Sequence, residues 1–162
     1  MKLFSKLKRS KNVINGKDNK DNNAELESCS IENTPKFSFQ TNGKVPCKVL
    51  NVYDGDTIDI AMKHDGNVSA FKVRLAGIDT PELKPGKDVA NRQNIIESGI
   101  SAKDFLQNMV FNKILPIEII GQEKYGRLLG KLYIDRGTNV SVNDILVLSG
   151  HAKVYDGGKK SE

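Results

Sequence analysis

Apolar and polar positions alternate along three short runs near the middle of the chain, the period of a half-buried strand. Val45, Cys47 and Val49 lead into Val52 and Tyr53. Ile58, Ile60 and Met62 share one face of a second run, and Phe71, Val73 and Leu75 one face of a third. Asp54-Gly55 marks a turn or bulge, and His64-Asp65-Gly66-Asn67 a tight hairpin. The pattern therefore predicts a meander of strands over 44–53, 56–62 and 70–78. The period then becomes helical over 94–112, where Ala102, Phe105, Leu106 and Met109 align and Ser101 is a candidate N-cap. Strands are expected at 115–121 and 127–134, the second with Leu128, Gly130, Leu132 and Ile134 on one face. A short helix follows at 139–149, stopped by Gly150, and 152–155 reads as extended.

Five strands, with one helix after the third and another after the fifth, predict an α+β, mainly β fold. The expected architecture is a partly open five-stranded OB-fold barrel with two or three helices. Residues 1–43 are rich in Lys, Asn, Asp and Ser and poor in large apolar side chains, so they cannot offset their ordering entropy by burial. They are expected to form a disordered basic tail ahead of a domain over 44–158, with 159–162 a polar end.

Composition changes this picture little. Net charge is +5, but residues 1–44 hold nine Lys/Arg and five acids, leaving 16 and 15 for the remainder. The basicity lies mostly in the tail, and gives only weak support for a nucleic-acid partner. Two cysteines, Cys29 and Cys47, are too few for a disulfide framework and lack zinc spacing. No apolar run reaches the ~20 residues of a membrane span, and Met1–Ser10 is basic without an apolar stretch behind it. A cytoplasmic monomer is expected.

The stretch from Asp54 to Glu82 carries the chemistry. Asp56, Asp79 and Glu82 sit at the ends of strand-like runs, with Arg74 close by. Converging carboxylates suit a hard cation such as Ca²⁺ or Mg²⁺, not zinc. A guanidinium suits an anionic phosphate. A metal-dependent phosphodiesterase needs that combination. His64 and His151 are read as structural or exposed.

Four pieces, in order, carry a family resemblance: Val52-Tyr53-Asp54-Gly55-Asp56-Thr57, Arg74-Leu75-Ala76-Gly77-Ile78-Asp79-Thr80-Pro81-Glu82, Glu123-Lys124-Tyr125-Gly126-Arg127 and Ser149-Gly150-His151-Ala152-Lys153-Val154. Over residues 45 to about 155 the chain resembles the staphylococcal nuclease (thermonuclease) family. The resemblance implies calcium-dependent hydrolysis of DNA and RNA, single-stranded or frayed duplex, leaving 3′-phosphate and 5′-hydroxyl ends. It implies that one Ca²⁺ is held by Asp56, Asp79 and the Thr80 carbonyl, that Glu82 is the general base or orients the water, and that Arg74 and Arg127 bind phosphate. Tyr125 matches a tyrosine at the nucleotide pocket; a second one falls at or next to Asp156, where Tyr155 stands in. Lys84 and Lys87, on the loop after Glu82, are candidate contacts to the polyanion.

Two rival readings exist. A non-catalytic OB-fold nucleic-acid-binding module would predict loss of Glu82 or an arginine, and neither is lost. A magnesium nuclease of the restriction-enzyme type is suggested by the acid-x-lysine run Glu82-Leu83-Lys84. That element belongs within a strand, whereas Pro81 and Pro85 bracket it here.

Overall fold

The computed structural model of the chain describes residues 26–34, 39–124 and 126–155. It divides into two compact units, residues 1–37 and 38–162. In the first, residues 26–34 form hydrogen-bonded turns: Ser30 N donates to Asn33 Oδ1 at 2.7 Å and Thr34 N to Ser30 O at 3.0 Å. The rest of the expected tail up to 38 lies outside the described residues. The barrel unit begins ahead of residue 44, since Phe39 packs against the core and Thr41 N donates to Ile119 O at 3.0 Å.

The second unit is built on β1 (Val45–Val52), β2 (Thr57–His64), β3 (Asn67–Leu75), β5 (Ile114–Gln122) and β6 (Leu128–Leu132). Their order is β1-β2-β3-β6-β5, and β5 pairs back onto β1, so the expected five-stranded OB-fold barrel is present and is fully closed, not partly open. Among the described residues only the β3–β6 pair is parallel. Asp65 and Gly66 both adopt positive φ (47° and 77°), as a two-residue hairpin requires, and set the register His64↔Asn67 through Thr57↔Arg74. Alternation then sends Val49, Ile58, Ile60, Val73, Leu75, Ile117, Ile119 and Leu132 inward, all essentially buried. Each such side chain contributes ~1.5–3 kcal/mol of transfer free energy.

Two breaks in this regularity matter for the site. The strand expected over 70–78 stops at Leu75, because Gly77 takes a φ of 76° and turns the chain. Ile78–Asp79 becomes a separate strand, β4, paired with β7 (Lys153–Val154). The long helix α1 spans Arg92–Val110, so Ser101 lies inside it and is not its cap. The N-cap position is Asn91, in the left-handed region at φ 54° and without a side-chain cap bond. The second helix, α2 (Val142–Leu148), is shorter than expected and starts at Ser141 with a capping box to Asp144. Ile134 lies outside β6 and is 43% exposed.

Asn143 ties α2 to the barrel. It is buried, donates to Ala76 O (2.8 Å) and Gly130 O (3.2 Å), and accepts from Leu132 N (3.2 Å). The kink after β3 is thereby fixed from below. Among the described residues no helix is long and apolar enough to cross a membrane.

Candidate active site

The turn between β1 and β2 presents Asp56. Tyr53 N donates to Thr57 O (2.9 Å), Asp56 N to Asp54 Oδ1 (3.1 Å), and Leu75 N to Asp56 O (2.7 Å), so the turn is tied to itself and to β3. It sits flush against its neighbours because residue 55 is glycine: a Cβ there would lie 2.8 Å from Thr80 Oγ1 and 2.9 Å from Ala102 Cβ. Asp56 and Thr57 are both buried, at 4% and 2% exposure.

Arg74 faces Thr57 across the β2–β3 pair, on the side away from the core. Its Nη1 lies 2.8 Å from Asp56 Oδ2 and its Nη2 lies 2.9 Å from Asp79 Oδ1. Nη2 also donates to Ile78 O at 3.1 Å. The kink at Gly77 and the β4–β7 pairing bring Asp79 to this position. One guanidinium thus spans two carboxylates from different loops. Glu123 Oε1 is 3.8 Å from Arg74 Nε, while its other oxygen holds Arg127 Nε at 2.7 Å. Thr57 closes the ring, donating to Asp56 Oδ1 (2.9 Å) and accepting from Arg127 Nη1 (3.5 Å).

Electrostatics follow from burial. Desolvation pushes the Asp56 carboxyl up to about 7; Asp54 adds to this, and Arg74 and Thr57 oppose it. Burial works against the charge on Arg74, but Asp56, then Asp79 and Glu123, outweigh it and hold its pKa above the ordinary value.

The second acid loop is shaped by α1. Its buried stripe is Gly99, Ala102, Leu106 and Val110. Leu106 and Val110 belong to the core, whereas Gly99 and Ala102 face the two loops that carry the acids. A Cβ on Gly99 would meet Pro81 O at 2.8 Å and Glu82 O at 3.1 Å, so the helix touches the backbone that carries Glu82. Thr80 is buried and Glu82 is exposed.

A pocket of about 580 Å³ opens beside this network, lined by Arg74, Arg127, Glu123, Lys124, Gln122 and Tyr155 among others. Tyr155 is held by its N–H to Gly77 O (2.9 Å), and its ring centroid lies 5.7 Å from the Arg74 guanidinium carbon. The structure therefore groups Asp56, Arg74, Asp79, Arg127 and Tyr155 at one place. Thr80 adjoins the Asp56 turn through Gly55. Lys84 and Lys87 are exposed on the loop after Glu82. Tyr125 lies outside the described residues. His64 packs at a tilt against Phe39 and edge-on against Phe71, with its Nε2 3.4 Å from Asp65 Oδ2, and His151 packs at a tilt against Phe105.

Sequence reasoning assigns no role to Glu123, Thr57 or Gly99. The first has a signal, an acid four residues ahead of Arg127. Thr57 has one too, a hydroxyl next to a predicted ligand. Gly99 has only its place in a helix, where glycine costs ~1 kcal/mol relative to alanine and so asks for a packing reason.

Residues 72–162 match a family model described as staphylococcal nuclease homologue. The chain belongs to the staphylococcal nuclease family. Arg74, Asp79, Thr80, Glu82 and Arg127 all lie inside the matched segment, and Asp56 lies ahead of it. This member of the family is 32% identical over 124 residues to an uncharacterized protein of Methanocaldococcus jannaschii, covering 67% of this chain and 58% of the relative. It is 31% identical over 109 residues to an uncharacterized endonuclease of Escherichia coli O157:H7, covering 67% and 60%. It is 31% identical over 110 residues to endonuclease YhcR of Bacillus subtilis, covering 66% of this chain and 9% of that protein. The chain thus spans about 60% of the length of the first two relatives.

Among the described residues no group of three or more His, Cys, Asp and Glu is placed to hold a metal ion. The candidate ligand set is instead two carboxylates plus a backbone carbonyl. Both carboxylates lie within 2.9 Å of the Arg74 guanidinium, so a bound cation would have to share them with Arg74 or displace it; carboxylate and carbonyl oxygens suit a hard ion whose shell water completes. That donor chemistry fits Ca²⁺ or Mg²⁺ and does not fit a thiolate- or imidazole-seeking metal.

Proposed function

We propose that this chain is a nuclease that hydrolyses phosphodiester bonds of DNA and RNA with low sequence specificity, uses Ca²⁺, and leaves 3′-phosphate and 5′-hydroxyl ends. The observation that carries the reading is the closed ring of Asp56, Thr57, Arg127, Glu123 and Arg74, with Asp79 on the same guanidinium. Two arginines held side by side by carboxylates are poised to exchange those partners for phosphate oxygens.

In this reading Asp56, Asp79 and the Thr80 carbonyl hold the ion. A Ca²⁺ ion held there would neutralise phosphate charge and lower the pKa of a bound water. Arg74 and Arg127 bind the scissile phosphate and stabilise the added negative charge of five-coordinate phosphorus. Glu82, on its exposed loop, takes a proton from the attacking water or orients it. Tyr155 and Tyr125 flank the nucleotide, and Lys84 and Lys87 contact the backbone beyond it. Arginines that address phosphate, on a shallow barrel face, account for low sequence specificity.

The test is cleavage of end-labelled single-stranded DNA and RNA in Ca²⁺, Mg²⁺ or EDTA, with Glu82→Gln alongside. Cleavage that needs Ca²⁺ and drops by orders of magnitude in the variant supports the proposal. Retained DNA binding with no cleavage in any metal would replace it with the OB-fold binding module.

A further inference from the structure

The ring of charges is not the end of the basic surface on this side of the barrel. Register places Arg74 opposite Thr57, Lys72 opposite Asp59, Ala70 opposite Ala61 and Val68 opposite Lys63, all on the outer side of β2–β3. On β1, Lys48 pairs with Ala61 and Asn51 with Asp59. Lys72 is thus two residues from Arg74 on the same face, ~6.6 Å along the strand. Beyond it the face is low, with two alanines; exposed Lys48 stands level with them on β1, and exposed Lys63 lies one step further along.

Tyr53 borders the start of this path. It is 58% exposed, although its backbone is fixed by the same turn that presents Asp56. Lys72 Nζ lies 5.0 Å from its ring centroid and 2.8 Å from Asp59 Oδ1. Asn51 holds the same carboxylate at 3.0 Å. A wet aromatic ring beside a lysine is the pair of groups that single-stranded nucleic acids use, a π-face for a base and a cation for a phosphate. Asp59 holds Lys72 in place while cancelling part of its charge. With Lys72, Lys63 and Lys48 against Asp59, the path keeps a positive balance.

We infer that the outer face of β1–β2–β3, from Tyr53 and Lys72 toward Lys63 and Lys48, is an extended subsite for the single-stranded nucleic acid flanking the scissile bond. The subsite rests on the proposed nuclease reading and extends it. Charge complementarity and continuity with Arg74 argue for this occupant over a protein. Nucleotides next to the cleaved one stack on Tyr53 and place a phosphate on Lys72; those further along follow the lysines.

The experiment measures fluorescence anisotropy of labelled oligothymidylates of 4 and 16 nucleotides, with Ca²⁺, using the full chain carrying Glu82→Gln to prevent turnover. Adding Tyr53→Ala should weaken the 16-mer by on the order of tenfold and the 4-mer by less. Lys72→Gln should reduce the slope of log K against log[salt] for the 16-mer by about 0.7. Asp59→Asn, which removes the competing carboxylate, should tighten the 16-mer. Equal effects on both lengths, or none, would overturn the subsite, as would a concentration-dependent dimer abolished by Tyr53→Ala. A parent that binds neither length overturns the subsite and the nuclease reading together. Length-dependent binding by a wild type that cleaves nothing removes only the nuclease reading.

Discussion

Replacing Gly99 by alanine separates stability from activity in a way the geometry makes calculable. In a helix interior the change ordinarily stabilises by about 0.8–1 kcal/mol. Here the new methyl would stand 2.8 Å from Pro81 O, 3.1 Å from Glu82 O and 3.2 Å from the Glu82 carbonyl carbon. Relaxing the first contact to an ordinary 3.4 Å moves that carbonyl or the helix by about 0.6 Å, the difference of the two distances. All three contacts are backbone, so no side chain can swing away. Overpacking of this kind costs roughly 1–3 kcal/mol. Set against the propensity gain, the net loss in unfolding free energy should be about 0–2 kcal/mol, so the variant folds.

The loop that gives way carries Glu82, and its backbone follows Thr80, which packs on the Asp56 turn. In the proposed mechanism Glu82 meets the attacking water, and a displacement of this size in such a group costs up to ~10²-fold in rate. The assay is steady-state cleavage of a short single-stranded substrate, alongside urea unfolding. Activity should fall 10- to 100-fold, mainly in kcat, with a change in midpoint that corresponds to no more than about 2 kcal/mol. Gly99→Ala at full activity would refute the claim that α1 sets the position of the Glu82 loop, and so would loss of activity fully explained by unfolding.

Asn143→Ala should destabilise the barrel by about 2–3 kcal/mol in urea unfolding, because it takes the side-chain partner from Leu132 N–H and from Ala76 O at a buried site, while Gly130 O keeps its bond from Ala76 N. Ser141→Ala removes the cap of α2 and should cost about 1 kcal/mol at neutral pH. The Ser141 hydrogen bonds hold the Asp144 carboxyl below its ordinary 3.8, so their contribution is present above that pH and fades as pH falls through the depressed value. The difference in stability between Ser141→Ala and wild type should therefore shrink in acid. Cys47 is buried, and desolvation pushes its thiol up to about 12, whereas Cys29 is exposed. A thiol reagent at pH 8 should titrate one cysteine in the native protein and both in denaturant.

The features of this fold that are legible in the amino-acid sequence are the local ones. Strand alternation and the Asp65-Gly66 turn are local, and they set the β1–β2–β3 meander and its register directly. The boundary at Leu75 is hidden because the run stays apolar through Ala76 and Ile78, although Ile78 is out of phase with Phe71, Val73 and Leu75; the φ of Gly77 and the Asn143 bond to Ala76 O mark where the strand breaks. The cap of α1 is hidden because Asn91 adopts a left-handed backbone in place of a side-chain bond. In the site, Asp56, Asp79, Arg74 and Arg127 are visible as residue types at matching positions. Their mutual arrangement is not, because Glu123 reaches Arg74 only after β6 has paired with β3, which joins segments distant in the chain, Val73 with Leu128 and Leu75 with Gly130. The close contacts of Gly55 and Gly99 are set by what lies opposite them, Thr80 and Ala102 for one and the Pro81–Glu82 backbone for the other. Sequence thus names the candidate groups, the carboxylates and arginines, while the placement of those groups depends on small residues whose part in the site is set by long-range packing.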